Sequence, residues 1–170
     1  MDSSAFRTKR YQLSVLTGMN QRYHQRRTHV WTVCNRSVQI TVGVLAVAGV
    51  CLSVAAWLAH DDRVDIAAII VASLAAIAAI ALNVLPLGDW SQQHADLFRR
   101  WSDLREDIDG LLFDVDGDPG IVQSERLKQL DAKVHRICGS EPHFQKKLLE
   151  ECLAEEEQSR RFASAQSAGA

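Results

Sequence analysis

Residues 38–59, VQITVGVLAVAGVCLSVAAWLA, and residues 66–87, IAAIIVASLAAIAAIALNVLPL, decide the fold, because each is a run of 22 residues without one charged side chain. A helix of that length is about 33 Å long, against a bilayer hydrocarbon core of about 30 Å. A small water-soluble domain has nothing with which to cover two helices that are apolar on every face, so lipid is the solvent these segments fit. Between them lie only His60, Asp61, Asp62, Arg63, Val64 and Asp65. A connection this short makes the two spans an antiparallel hairpin.

A hairpin puts both termini on one side. Arg22, Arg26, Arg27 and Arg36 precede the first span and Arg99, Arg100 and Arg105 follow the second, whereas the turn holds Arg63 alone. The basic excess places the termini in the cytoplasm and the acidic turn outside, which describes a multi-pass protein of the cell inner membrane. The first apolar block begins at residue 38 and is too long for the apolar core of a cleaved signal peptide, so it is expected to remain as a signal anchor. The same arginines, namely Arg22, Arg26, Arg27, Arg36, Arg99 and Arg100, are candidate topology or lipid contacts.

Small residues recur on one face of each span: Ala46, Gly49, Ser53 and Ala56 in the first, and Ala68, Ala72, Ala75 or Ala76, and Ala79 in the second. In lipid, close packing and hydrogen bonds replace the hydrophobic effect, so such faces are where helices approach each other, within the hairpin or between copies. Trp31, Trp57 and Trp90 stand where interfacial aromatics are expected, and Pro86 with Gly88 marks the exit of the second span.

Residues 11–35 pattern as a basic amphipathic helix, with Tyr23, Val30, Trp31 and Cys34 at helical spacing. It either lies on the anionic inner leaflet or continues the first span as a stalk; Asn35-Arg36-Ser37 contains no proline or glycine to break it, which favours the stalk. After the second span, Trp90, His94, Leu97, Trp101, Leu104, Ile108 and Leu111 alternate at steps of four and three, a seam of coiled-coil type that is closed either within the chain or by another copy. Leu127, Leu130, Val134 and Ile137 continue that spacing in a further helix ended by Gly139 and Pro142. Pro142 then opens a last helix striped by Phe144, Leu148, Leu149, Cys152 and Leu153, and the Ala, Ser and Gly-rich tail is expected to be disordered. The resulting organisation is 1–37 N-terminal basic helix, 38–87 hairpin (38–59 and 66–87), 88–161 cytoplasmic helices and 162–170 tail. The fold class is all-α.

Chemical motifs are sparse. Asp114, Asp116, Asp118 and Glu125 fall at positions 1, 3, 5 and 12 of an EF-hand loop, but Pro119 occupies the position that needs glycine, so an ordinary turn is expected. His135, Cys138, His143 and Cys152 follow no zinc spacing and the cysteines form no CxxC pair, so no metal and no cofactor is expected. HExxH, P-loop, GxGxxG and GxSxG are all missing from the sequence, which argues against an enzyme. A formal charge of −2 gives no pull toward nucleic acid. The spans hold only Gln39, Thr41, Ser53, Ser73 and Asn83 as polar residues, which disfavours ion-coupled transport and a permanently open aqueous pore; a conducting form would have a hydrophobic constriction closed by dewetting.

The segment Arg22-Tyr23-His24-Gln25-Arg26-Arg27, the short-looped hairpin, the helix Gln93-His94-Ala95-Asp96-Leu97-Phe98-Arg99-Arg100-Trp101 with Leu104-Arg105-Glu106-Asp107-Ile108, the Glu141-Pro142 pair and the 152–157 stretch together resemble the SLATT superfamily. These are two-span effector domains associated with SMODS nucleotidyltransferases and SLOG sensors in bacterial conflict systems. The resemblance covers nearly the whole chain and implies a membrane effector that oligomerises and permeabilises the inner membrane when a sensor fires. This sequence contains the membrane unit and its short helices only, so the implied trigger is a separate sensor or signal-synthesising protein. The implied partners are membrane lipids and further copies of the chain. Two other readings fit the hairpin: a non-conducting anchor or scaffold that recruits a cytosolic partner, and a holin-like phage protein, for which the cytoplasmic region is longer than needed.

Overall fold

The computed structural model describes residues 3–59, 62–111, 121–141 and 144–168. The chain is all-α: α1 spans Ser3–Ala59, α2 Asp62–Val84, α3 Leu87–Asp109, α4 Ile121–Gly139 and α5 Lys146–Ala168, and no strand occurs among the described residues. Two of these helices carry stretches long and apolar enough to cross a membrane.

The three prolines of the chain are Pro86, Pro119 and Pro142, so no missing amide interrupts the hydrogen-bond ladder of α1. Its change from basic to apolar at residue 37 is a change of side-chain character with no end of helix. Pro86, in contrast, separates α2 from α3. It has no N–H to donate and pushes Leu85 out of the helical region, so α2 stops at Val84 and the second span ends three residues earlier than its apolar run. Helix α3 restarts at once, with the Trp90 amide donating to the Pro86 carbonyl at 2.9 Å. The expected disordered tail is corrected in part: α5 continues past Arg161 to Ala168. The last helix begins at Lys146; Pro142 and His143, like the acidic turn at 114–119, lie outside the described residues.

The chain divides into two compact units, Thr28–Gln92 and a second made of Met1–Arg27 with Gln93–Ala170. In the first, α1 and α2 pack antiparallel. Gly49 is buried, and a Cβ built on it would lie 3.8 Å from Val71 Cγ1 and 3.9 Å from the Ala72 backbone, so the two helices nearly touch there. Outward, the hairpin is oily: Val47 is 64 % exposed, Trp57 76 %, Ile69 66 % and Ile77 64 %. Its polar side chains turn back on their own helices, with Thr41, Ser53 and Ser73 hydroxyls and the Asn83 amide donating to the carbonyls of Ser37, Gly49, Ile69 and Ala79. At the other end of this unit Trp31 and Trp90 rings meet with centroids 4.7 Å apart, and the Thr32 and Ser91 hydroxyls share a hydrogen bond of 2.7 Å.

The second unit is a bundle of four helical segments: the start of α1, the rest of α3, α4 and α5. Pairings such as Ser14 with Asp109 and His24 with His94 set α3 antiparallel to α1, and those of Arg22 with Glu156 and Ser14 with Arg160 set α5 antiparallel to it. Phe6, Leu13, Leu97, Trp101, Leu104, Ile108, Leu111, Leu127, Leu130 and Val134 form one continuous apolar core. A second cluster joins Met19 and Tyr23 of α1 to Cys152 of α5.

Candidate functional site: a polar seam inside the helical bundle

The heptad seam of α3 is closed within the chain. Leu97, Trp101, Leu104, Ile108 and Leu111 are buried against α1 and α4, so the side chains that a partner helix would grip are already covered. Trp90 lies in the other unit, half-buried against Trp31.

The face of α1 that enters the bundle is not uniformly apolar. Ser14, Thr17, Asn20 and His24 are all buried, and with Gly18 they form a polar strip along one side of the helix. Buried polar groups require partners. Two clusters supply them for Ser14 and His24, whereas Thr17 donates to the Ser14 carbonyl at 3.0 Å and Asn20 Oδ1 has no partner among the described residues.

In the first, Glu156 of α5 is wholly buried and receives three guanidinium groups. Arg22 Nε donates to Oε2 at 2.9 Å, while Arg105 Nη2 and Arg160 Nε donate to Oε1 at 3.2 and 3.0 Å. Arg160 also donates to the Ser14 carbonyl and hydroxyl at 2.9 and 2.7 Å, and Arg105 to Gln21 at 3.0 Å. The carboxylate reaches this position because residue 18 has no side chain: a Cβ there would sit 2.4 Å from both Cδ and Oε1 of Glu156. Gly18→Ala therefore displaces a fully buried, triply bonded carboxylate; we expect a loss of about 1–3 kcal/mol in bundle stability, read as a lower denaturation midpoint of the purified protein. Beside this cluster Arg26 donates to Glu155, an interaction that raises its pKa further above the ordinary arginine value.

In the second cluster, His24 lies between His94 and Glu141. The two Nδ1 atoms are 2.9 Å apart, His24 Nε2 is 3.0 Å from Glu141 Oε1, and Trp101 Nε1 donates to the same oxygen. The His24 and Glu141 side chains are fully buried. The Tyr23 ring stands edge-on to both imidazoles, and its hydroxyl accepts the Gln145 amide at 3.1 Å. Burial first, then the charges of His24 and Arg27, push His94 down from 6.5 to about 4.

The arginines read as lipid contacts divide accordingly. Arg22 and Arg26 engage glutamates of α5, and Arg27 lies 3.5 Å from the Gln145 side chain. Arg36, Arg99 and Arg100 are exposed, Arg99 with Asp96 at 3.8 Å. The small-residue faces divide too: Gly49, Ala56 and Ala68 are buried, Ala75 and Ala79 half-buried, and Ala46, Ser53, Ala72 and Ala76 exposed. Leu45, Ala46, Gly49, Ser53, Ala72 and Ala75 line part of an open groove of about 500 Å³ along the hairpin. Among the described residues no group of three or more His, Cys, Asp or Glu side chains is arranged to hold a metal ion; His135 and Cys138 are exposed, Cys152 is buried and Glu125 pairs with Lys128 at 2.6 Å.

Sequence reasoning missed both clusters, since their members are up to 146 residues apart. Gly18 was a usable signal, because an isolated glycine within a long helical pattern has a packing reason or a cost. Set against protein-family models, curated proteins and solved structures, the chain matches none.

Proposed function

We propose that this chain is a two-pass inner-membrane protein with both termini in the cytoplasm, acting as an oligomeric SLATT-type effector of a bacterial conflict system that permeabilises the membrane when a separate sensor fires. What carries the reading is the contrast between the units: the bundle buries its own apolar seam, while the hairpin leaves large aliphatic side chains exposed around both helices. Lipid satisfies that surface, and what remains for another copy is the hairpin groove with its small residues. Association through the α3 heptads would first require the bundle to open. The buried polar seam supports an openable bundle, since partners held by hydrogen bonds and ion pairs can exchange them for water.

The test is induced expression in bacteria with membrane-potential and dye-uptake readouts, together with particle size in detergent. We expect depolarisation, dye entry and a particle larger than one chain, with a reporter at residue 62 outside the cytoplasm. An unchanged potential at strong expression, with a monomeric particle, sinks the effector reading. The rival reading, a non-conducting anchor, draws on the absence of any Asp, Glu, Lys, Arg or His from 38–59 and 66–87. Its mark is recovery of one stoichiometric cytosolic partner with permeability unaltered.

A further inference from the structure

We propose that His24, His94 and Glu141 form a proton-operated latch: the bundle is closed while the two imidazoles together carry at most one extra proton, and a second proton, arriving on His94, frees Glu141 and α3 from α1.

The proton inventory follows from the donors. An indole N–H can only donate, so Glu141 Oε1 accepts from Trp101. With Glu141 ionised, His24 offers it Nε2–H, which leaves His24 Nδ1 a lone pair, and His94 must present Nδ1–H across the 2.9 Å gap. One extra proton on His24 reverses the direction of that bond and keeps every contact, because the imidazolium then donates to His94 and to Glu141. A proton on His94 as well leaves two N–H groups facing each other at that distance, with no acceptor between them. The closed geometry cannot contain that state.

The surroundings offer little relief. From α1 the pair faces the neutral Tyr23 ring and the positive Arg27, and from α3 the neutral Trp101. On α4 Cys138, exposed as a residue, has its thiol pKa raised by partial desolvation of the sulfur and by Glu141; on α5 the Cys152 thiol, packed on Tyr23, is raised by burial. Among these neighbours Glu141 is the negative charge, and its Oε1 already serves two donors while Oε2 has no partner among the described residues.

The direction of the pH effect follows. His94 is neutral when closed down to about pH 4 and returns to the ordinary 6.5 when open, so acid favours the open form by up to about 300-fold. Closure is at full strength above pH 6.5, weakens as pH falls toward 4, and weakens no further below that. The latch lies within the bundle alone and works whether or not the chain conducts.

The experiment follows Trp101 emission in the full chain in detergent, with Trp31, Trp57 and Trp90 replaced by Phe. From pH 7.5 to pH 4 we expect a reversible shift from a buried to a solvated indole spectrum, and no shift in the same background carrying His94→Gln, whose amide can still donate to His24 but takes up no proton. Emission independent of pH, or the same shift in both proteins, overturns the latch. Should His94→Gln fail to fold, histidine-labelled wild-type protein followed by NMR decides: titration of His94 well below 6.5 together with the emission change supports it, and an ordinary titration near 6.5 with the bundle intact overturns it.

Discussion

Glu156→Ala lowers the melting temperature of the helical bundle by about 10 °C or more, the equivalent of roughly 3–5 kcal/mol. The loss comes from what remains. Arg22, Arg105 and Arg160 converge on a carboxylate with no exposed surface, and without it three positive charges face one another. Their side chains are 33, 30 and 24 % exposed, so they recover part of their hydration by turning outward, which sets the loss near the lower bound of that range. Turning outward also removes the Arg160 contacts to Ser14 and the Arg105 contact to Gln21, so α5 and α3 both loosen from α1. Glu156→Gln keeps the shape and one acceptor oxygen and loses less, about 1.5–3 kcal/mol. Helicity followed on heating in detergent measures both, and new tryptic cleavage at Arg160 reports release of α5. A Glu156→Ala protein that melts with the parent contradicts the buried position of this carboxylate.

Trp101→Ala is the second large loss, about 3–5 kcal/mol. The indole is fully buried in the core that α1, α3 and α4 share, so truncation leaves a cavity that three helices would have to collapse to fill. It also removes the donor that Trp101 gives Glu141, whose other oxygen is already without a partner among the described residues. Trp101→Phe separates the two effects: most of the volume returns, the hydrogen bond does not, and about 1–3 kcal/mol of the loss persists. Chemical denaturation of both variants measures the difference, and equal midpoints for Phe and Trp at 101 would show that the Glu141 contact contributes nothing.

Why some of this was legible and some was not is a matter of range. Lipid demands apolarity of every residue for some twenty positions, so 38–59 and 66–87 announced themselves, and the three-four spacing of Leu97, Trp101, Leu104, Ile108 and Leu111 marked one face of α3. The spacing could not tell which surface covers that face; α1 and α4 of the same chain do. Serine, threonine, asparagine and histidine are ordinarily read as solvent-facing, so Ser14, Thr17, Asn20 and His24 gave no sign that they point inward. Ser14 and His24 find their partners in Asp109, Arg160, His94 and Glu141, far along the chain. Arg22 and Arg26 were read as membrane-flanking charges because that is their commonest use; α5 carries the glutamates that engage them.

The hydroxyls that turn inward on the hairpin bear on how copies would meet in a bilayer under the proposed function. Thr41, Ser53 and Ser73 each give their one hydroxyl hydrogen to a carbonyl one turn back, so none of these three holds a donor in reserve to fasten a neighbour, while Asn83 gives one of its two amide hydrogens to Ala79. On the proposed reading, encounters between hairpins would depend chiefly on surface fit and on how well two spans of this length match the surrounding acyl chains. On that reading, a cell that lengthened or shortened its fatty acids would move the balance between scattered and gathered copies without touching the gene.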